Sequence, residues 1–552
     1  MKKDIKILLI GLLLPIFLQA QPKHEIRAVW LTSLYNLDWP TTRATNARTM
    51  QRQQRELCDM LDRLAAANFN TVIFQTRLRG DVVYPSAIEP FDECLTGTAG
   101  KSPGYDPLRF AIDECHKRNM ELHAWVVAIP LGATSQAKSL GKRSVTRRYP
   151  QLCKRYQNHW YMDPGHPDTQ YYLSRLVMEI VDNYDIDGIH LDYIRYPEKA
   201  EHFPDADTYR RYGRGEDKAA WRRNNITAIV RNIYQSVKLK KPWVKVSSSP
   251  VGKYSDTQRY ASKGWNALHA VHQDARLWLK EGINDILFPM MYFKDNNFYP
   301  FALDWNENKY GRFIVPGLGI YFLDPHEGNW QLNDVMQQVK FVRDQKLDGL
   351  SFFRARYIIG NTRNLTDETT RSFFNYPAFV PTMTWADSIA PEAPCVHPII
   401  ANDKTVSLSW DIPVSNDTTS IRYRIYAANQ YPVDTEKPQH IVCTGTSQAS
   451  FTLPRTNSQA NRLYWAVTAV DRYGNESPGS AFNAPDHPWN NIYTTLNLSE
   501  MPEIIISTIA GKEIMRLSTH DDVRLEQLPK GIYRLSSIDA SGQHTDRGIM
   551  IR

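Results

Sequence analysis

Eight short apolar runs alternate with longer helical patterns between residue 25 and about residue 360. The runs are rich in branched and aromatic residues, as strands are; in chain order they read EIRAVWLTS, NTVIFQTRLRG, ELHAWVVAIP, DGIHLDYIRYP, WVKVSSSPVG, DILFPMMYF, RFIVPGLGIYF and DGLSFFRARYI. The helical patterns between them lie at 49–67, 105–119, 167–184, 217–238, 264–281 and 330–345. Because parallel strands need crossover connections, this alternation predicts an α/β fold, a (β/α)8 TIM barrel over residues 24–375. The alternative, an open doubly wound sheet, usually has fewer strands and often a glycine-rich phosphate loop, which is not evident here.

The pattern changes after a connector at 361–390 that is rich in Thr, Pro and Asn. Short alternating strands follow, separated by turns rich in Asn, Asp, Gly and Pro; they include VSLSW, IRYRIYA, HIVCTG and RLYWAVTAV. This pattern predicts a β-sandwich over residues 390–486. Trp410, Tyr464 and the closing DRYGNESPGS resemble a fibronectin type III domain, in which we interpret both aromatic residues as core.

The last stretch, residues 490–552, predicts a small C-terminal β domain. It contains the segments EIIISTIAGKEIM, VRLEQLPKGIYRLSSIDASGQ and RGIMIR. The Gly-Lys turn, the LPKGIY step and the basic tail resemble the C-terminal sorting domains of type IX secretion.

The N-terminus predicts a signal peptide over residues 1–20. A basic start, MKKDIK, precedes the apolar run ILLIGLLLPIFL, which is too short to span a bilayer comfortably, and a small residue, Ala20, ends the segment. We therefore expect export to the periplasm, the outer membrane surface or the medium, with no transmembrane segment after cleavage. Lys and Arg number 66 against 59 Asp and Glu, a net charge of +7. This mild excess over 552 residues does not indicate a nucleic-acid partner.

Six cysteines occur in spacings that fit neither a disulfide framework nor a zinc site. We expect mainly buried free thiols, with a Cys395–Cys443 pair left open. The sequence also lacks a calcium loop of the D-x-D-x-D-G type at the expected site. We therefore predict no metal and no cofactor.

The fourth predicted strand, DGIHLDYIRYP, is the most informative part of the barrel, whose active site is expected at the C-terminal strand ends. Because strand side chains alternate, Ile189 and Leu191 should face the helices, while His190 and Asp192 point inward. Asp187, at the strand entry, fits a turn or cap. Asp192 then lies nearest the catalytic rim.

Other strand ends add polar and aromatic candidates to the same rim. The second strand places four polar side chains on one face, which is costly to bury unless they pair or bind something. Trp125 is either core or a platform for a sugar ring. On the eighth strand, Arg354 and Arg356 project together. Asp324 lies on the loop after strand seven. The expected substrate-binding residues on these grounds are Gln75, Arg77, Arg79, Asp81, His123, Trp125, His190, Arg195, Tyr292, Tyr321 and Arg354.

These residue types favour glycoside hydrolysis, which needs one carboxyl group to protonate the leaving oxygen and a second to attack or to activate water. Aromatic residues hold sugar faces, and arginines bind carboxylates or orient acids. We expect Asp192 as the first catalytic carboxylate. Glu327, on the loop after strand seven, is our choice for the second, in competition with Asp81, Glu89 and Asp295. No nucleophile elbow for a Ser-His-Asp triad is present.

The same region resembles the glycosyl-hydrolase-like family 10 in the order of its motifs. The resemblance rests on VVYPSAIEPFDECLTGTAGKSPGYDPLRFAIDECHKRNMELHAW, MDPGHPDTQYYLSRLVMEIVDNYDIDGIHLDYIRYP, WRRNNI, SSSPVG and DILFPMMY. It matches Asp192 directly, and it matches Arg79, Asp81 and Tyr84 to the family's R-x-x-GDAxY region, which adds Tyr84 to the substrate-binding candidates. Asp163 stands where members have the Asn of NPG.

Two departures from the family are evident. Several members carry a second aspartate where Tyr193 stands, and members often read HAWxNPYR where this chain reads HAWVVAIPLG.

The resemblance implies a barrel glycosidase, and one member type acts on peptidoglycan glycan strands stripped of their peptides. We therefore expect an exported glycoside hydrolase whose partner is a glycan. Two alternatives stay open: a non-catalytic glycan-binding surface protein, and a hydrolase of a host or dietary polysaccharide.

Overall fold

The computed structural model describes residues 21–397, 399–412, 420–462, 464–480, 492–493, 503–508, 511–518, 532–538 and 544–551. The expected signal peptide at 1–20 lies outside these residues, as do the LPKG residues of the LPKGIY step.

Eight parallel strands form the barrel that the sequence predicts. Two of them are split where a proline, which cannot donate to the ladder, interrupts the pairing. The strands are β1 (Ile26–Leu31), β2 (Thr71–Arg77), β3 (Glu121–Val127), β4 (Gly188–Asp192), β5 (Lys245–Ser248), β6 (Ile286–Leu287 and Met290–Met291), β7 (Phe313–Ile314 and Gly317–Leu318) and β8 (Gly349–Phe353). Both pieces of β6 pair with the corresponding pieces of β7, and β8 pairs with β7 and with β1, so the sheet closes.

A helix follows each strand and packs outside the sheet. The helices are α1 (Ala47–Ala66), α2 (Pro107–Lys117), α3 (Pro167–Asn183), α4 (Lys218–Lys240), α5 (Ala275–Lys280), α6 (Tyr299–Glu307), α7 (Leu332–Asp344) and α8 (Leu365–Ser372). The start of α2 shows why a helix begins at that residue. Asp106 accepts a hydrogen bond from the backbone of Arg109, and Pro107 occupies the first turn.

Alternation along the strands separates two apolar cores. On β1, Val29 and Leu31 pack against the helices, whereas Ala28 and Trp30 point into the barrel. The inner core therefore fills the barrel with large side chains rather than leaving a pore.

A small antiparallel sheet is inserted after β3, beyond its C-terminal end. Its strands are Pro130–Ala133, Cys153–Tyr156 and His159–Met162, with the last one in the middle. This β-insertion rises beside the C-terminal rim of the barrel and forms one wall of the cleft described below.

The next part of the chain is a β-sandwich, as predicted. One sheet contains Cys395–Val396, Ile399–Ala401, Thr405–Asp411, Ser450–Pro454 and Ile492–Tyr493, and the other contains Arg422–Ala428, Ile441–Thr446 and Tyr464–Val470. Trp410 lies in their shared core, as expected. The prediction for Tyr464 is wrong: it is half-buried against Tyr431, and the next residue, Trp465, takes the core position because Val467 and Ala469 share its face.

The sandwich contacts the N-terminal end of the barrel through charged groups. Lys23 lies 2.9 Å from both Glu436 and Glu476, and Arg422 donates to Asn119 at 2.9 Å. Four antiparallel strands follow, at Glu503–Thr508, Glu513–Ser518, Ile532–Ile538 and His544–Ile551.

The structure also bears on the expectations about cysteine pairing and membrane-spanning segments. All six cysteines are free thiols, so the possible Cys395–Cys443 pair is not formed. Among the described residues, no helix is both long and apolar enough to cross a bilayer.

Candidate active site

Strand β4 positions its side chains as its alternation predicts. Ile189 and Leu191 lie in the outer core, and His190 points into the barrel. Its ring accepts from the indole N–H of Trp30 at 3.3 Å and lies 3.0 Å from the Ser247 hydroxyl. Burial holds the pKa of His190 well below its usual value, so the ring is neutral.

Asp192 ends the same strand at the floor of a cleft. Its carboxyl group accepts three hydrogen bonds: from the Trp125 indole at 3.0 Å, the Ser249 hydroxyl at 2.7 Å and the backbone N–H of Tyr193 at 2.8 Å. Burial raises the pKa of Asp192 above its usual value, although these donors and the charge of Arg195 oppose the rise. A carboxyl group with a raised pKa can hold a proton for a leaving oxygen.

The cavity above Asp192 has a volume of about 490 Å³ and walls rich in aromatic residues. Tyr292 stacks on Phe353 with a centroid distance of 5.3 Å, and Tyr321 meets both rings edge-on. Flat apolar walls around a few polar groups are typical of small-molecule sites. The aromatic lining residues are Trp30, Trp125, Tyr193, Trp265, Tyr292, Phe293, Tyr321, Phe322 and Phe353.

A second cavity of about 290 Å³ adjoins the first on the side of the β-insertion. Trp160 and Tyr161 of that insertion line it. The two cavities share Leu34, Arg79, Tyr193 and Arg195, which form the wall between them. The cleft can therefore hold neighbouring units of a chain.

Seven of the predicted site residues line the larger cavity: Gln75, Arg79, Trp125, Asp192, Arg195, Tyr292 and Tyr321. Gln75 lines it with a carbonyl oxygen that already accepts from Thr32, Ser33 and Leu34. Gln75 thus positions the loop after β1.

Three residues predicted around strand β2 lie away from the lining of both cavities. Arg77 is fully buried and pairs with Glu89 at 2.7 Å, because a register shift after Gln75 breaks the alternation. Asp81 is buried within the loop that follows β2, where its carboxyl group accepts a hydrogen bond from Gln136 at 2.9 Å. Tyr84 is buried outside the barrel and donates to Glu179 at 3.0 Å.

The other predicted residues also lie off the cavity lining. His190 and His123 are buried inside the barrel, and His123 lies 3.1 Å from Glu121. Arg354 lies at the rim and pairs with Asp38 at 2.8 Å. Glu327 is exposed on the loop after β7, outside the lining of both cavities. Among the lining residues of the larger cavity, Asp192 supplies the one carboxyl group.

Several lining residues had not been predicted from the sequence. Trp30 lies on the inward face of β1, Thr32 follows that strand by one residue, and Ser249 follows β5 by one residue. The alternation rule, continued one residue past the end of each of these two strands, would have found them. Trp160 and Tyr161 lie on the β-insertion, for which the sequence offered no comparable signal.

The chain is similar to several known proteins. The glycosyl hydrolase YngK of Bacillus subtilis (strain 168) is 31% identical over 491 residues, covering 84% of this chain and 94% of that protein. The glycosyl hydrolase DigH of Escherichia coli (strain K12) is 31% identical over 291 residues, covering 49% of this chain and 66%, just under two thirds, of that protein. The PgaB (BpsB) glycoside hydrolase domain of Bordetella bronchiseptica is 14% identical with a TM-score of 0.43, covering 64% of this chain and 99% of that one.

The family model called glycosyl hydrolase-like 10 matches residues 25–319, from the residue before β1 to the residue after β7. Together with the alignment over most of the length of the Bacillus subtilis protein, this match shows that the chain belongs to the glycosyl hydrolase-like 10 family.

Proposed function

We propose that this protein is an exported glycoside hydrolase of an amino-sugar glycan, with peptide-free peptidoglycan glycan strands as its substrate. The observation that carries the proposal is Asp192, a buried carboxyl group with a raised pKa at the floor of an aromatic cleft. Residues 1–20 support export, and the relatives' names support hydrolysis of a glycan.

Asp192 acts as the general acid in this proposal. Its proton passes to the glycosidic oxygen as the bond from that oxygen to the anomeric carbon breaks. The walls formed by Tyr292, Phe353 and Tyr321 keep water from the acid and hold the sugar ring in place. The resulting Asp192 carboxylate is stabilised by the donors from Trp125 and Ser249.

The second group of the reaction comes from the substrate. Only one carboxyl group lines the larger cavity among the described residues, whereas the two-carboxylate mechanism needs a second beside the sugar. An N-acetylated sugar carries a 2-acetamido oxygen that can bond to the anomeric carbon while the leaving oxygen takes the proton of Asp192. Water, deprotonated by the Asp192 carboxylate, then opens this intermediate. This step favours an amino sugar at the cleft.

Digestion of purified peptide-free glycan strands tests the proposal. We expect the wild-type protein to release short saccharides that mass spectrometry identifies by their repeat mass, with ¹⁸O from labelled water at the new reducing end. Asp192→Asn should release none above background. Intact strands after prolonged incubation with both proteins would contradict the proposal.

A second candidate function is a non-catalytic glycan-binding surface protein. The exposed position of Glu327 and the tyrosine at position 193 favour it, because both reduce the number of carboxylates at the cleft. In that case the strands would bind to the wild-type protein and be recovered intact.

A further inference from the structure

Arg195 is a buried arginine without a carboxylate partner. Six arginines are buried among the described residues. Five of them hold a carboxylate at 2.7–2.8 Å: Arg27, Arg77, Arg222, Arg354 and Arg424. The sixth, Arg195, is 6% exposed; among the described residues its Nε has no hydrogen-bond partner, and its guanidinium donates to the carbonyl of Tyr196 at 3.3 Å.

Arg79 also lacks a carboxylate partner among the described residues, and it lies with Arg195 on the wall between the two cavities. It is half-buried, donates only to its neighbour Leu78 through its guanidinium, and forms no ion pair with any described residue. The guanidinium carbons of Arg79 and Arg195 lie 5.4 Å and 4.7 Å from the centre of the Tyr193 ring. Both arginines therefore flank one ring and line both cavities.

Among the described residues, no carboxylate forms an ion pair with either arginine. Asp192 forms no ion pair with Arg195. Its carboxyl oxygens accept hydrogen bonds from Trp125, Ser249 and a backbone N–H. Glu198 lines the smaller cavity but is exposed and makes no ion pair with either arginine. A buried charge without a partner is costly, so such a group is retained where something else supplies the opposite charge.

We propose that Arg195 and Arg79 bind a carboxylate on the sugar next to the bond that is cleaved, so that the protein selects an acidic glycan. This inference rests on the proposed function and adds the substrate class. Arginine guanidinium groups match the geometry of a carboxylate, and the aromatic ring between them fixes their spacing. The carboxylate has two possible sources in glycans: a lactyl ether on an amino sugar, or the uronate of an acidic polysaccharide.

Binding to the Asp192→Asn full-length protein tests the proposal without turnover. Three oligosaccharides of equal length serve as titrants in calorimetry: a peptide-free peptidoglycan strand, a chito-oligosaccharide and a hyaluronan oligosaccharide. The first two share their backbone, and only the first carries lactyl carboxylates. We expect at least about tenfold tighter binding of one acidic oligosaccharide than of the neutral one, with a preference that falls as salt is added. The tighter of the two acidic titrants identifies the source.

Two variants assign that preference to the arginines. In the same background, Arg79→Met and Arg195→Met should each bring the ratio of acidic to neutral affinity close to one. Arg79→Met keeps the test valid if the more buried Arg195→Met does not fold. Arg231→Met, on the outer helix α4 and paired with Glu281, is the control that should keep the wild-type ratio.

Equal affinity for acidic and neutral oligosaccharides, binding of none of the three, or a ratio that survives in both arginine variants would overturn the proposal. Hydrolysis by the wild-type protein is measured on the same samples and separates the two claims. Cleavage of acidic and neutral strands at equal rates would leave a hydrolase without acid selection. Selective binding with no cleavage would leave the carboxylate site and refute the hydrolase.

Discussion

The N-terminal end of the barrel pairs its charges, whereas the cleft wall at the C-terminal end leaves two unpaired. Just before β1, Glu25 pairs with Arg27 at 2.8 Å and with Arg343 at 2.6 Å. At the other end, Arg195 and Arg79 form no ion pair with any described residue. The two ends are built from the same eight strands.

The difference separates stabilising charges from charges that remain for a ligand. In (β/α)8 barrels, the N-terminal face serves stability and the C-terminal face carries the chemistry. Charges that are paired inside the fold contribute to the free energy of unfolding. Those left unpaired at a cleft raise the energy of the empty site, and a ligand of opposite charge removes that cost.

The largest expected effect on stability is at Glu25. Glu25→Gln leaves Arg27, which is fully buried, without its counter-charge. We expect a loss of about 3–5 kcal/mol in the free energy of unfolding, measured by urea denaturation. The control is Glu307→Gln, which breaks an exposed pair with Arg259 and should cost less than about 1 kcal/mol. Similar losses in both variants would remove the distinction between the two kinds of pair.

A smaller effect is expected where the sandwich meets the barrel, at Glu476. Burial raises the pKa of Glu476, but Arg424 and Lys23 outweigh it and lower the pKa to about 2. The contribution of Glu476 to stability is therefore complete above its unfolded pKa of 4.5 and is lost as the pH falls toward about 2. Glu476→Gln should cost about 1–3 kcal/mol at neutral pH and flatten this acid dependence in thermal melts. An unchanged acid dependence in Glu476→Gln would show that Glu476 does not link the sandwich to the barrel.

The smallest expected effect is on the pH profile of the cleft. The Ser249 hydroxyl lowers the pKa of Asp192, so Ser249→Ala should raise it further. A general acid must be protonated, and its activity is lost as the pH rises through its pKa. The high-pH limb of kcat/KM should therefore move up by roughly one pH unit. Ser248→Ala, which removes a hydroxyl that faces Asn284, should leave the limb in place. A limb that does not move in Ser249→Ala would exclude Asp192 as the titrating acid.

Much of the barrel could be predicted because its elements repeat a simple pattern. Five of the six helical patterns correspond to helices within a few residues; the pattern at 264–281 contains two short ones, Ala267–Ala270 and Ala275–Lys280. Helices α6 and α8 were not identified, because each is short and α6 is rich in aromatic residues with a proline in its first turn. The family resemblance located the same region independently of the periodicity.

The site could be predicted only where a strand stays regular to its end. On β4, alternation places His190 and Asp192 inside the barrel. On β2, a register shift after Gln75 carries Arg77 away from the cleft. Several residues beyond a strand end, alternation no longer holds, which explains why the exposed position of Glu327 did not follow from the sequence. The unpaired state of Arg195 depends on the positions of all neighbouring carboxylates, which no local pattern contains.

The most direct test compares one carboxylate at each end of strand β4. Asp187, before the strand, accepts from His116 at 2.8 Å and from the backbone of Leu122 at 2.9 Å; Asp192 ends the strand at the cleft floor. The measurement is kcat on peptide-free glycan strands together with the melting temperature, for Asp187→Asn and Asp192→Asn. We predict that Asp192→Asn loses at least about 100-fold in kcat with little change in melting temperature, and that Asp187→Asn lowers the melting temperature and keeps kcat within a few-fold. A wild-type rate in Asp192→Asn would contradict the account.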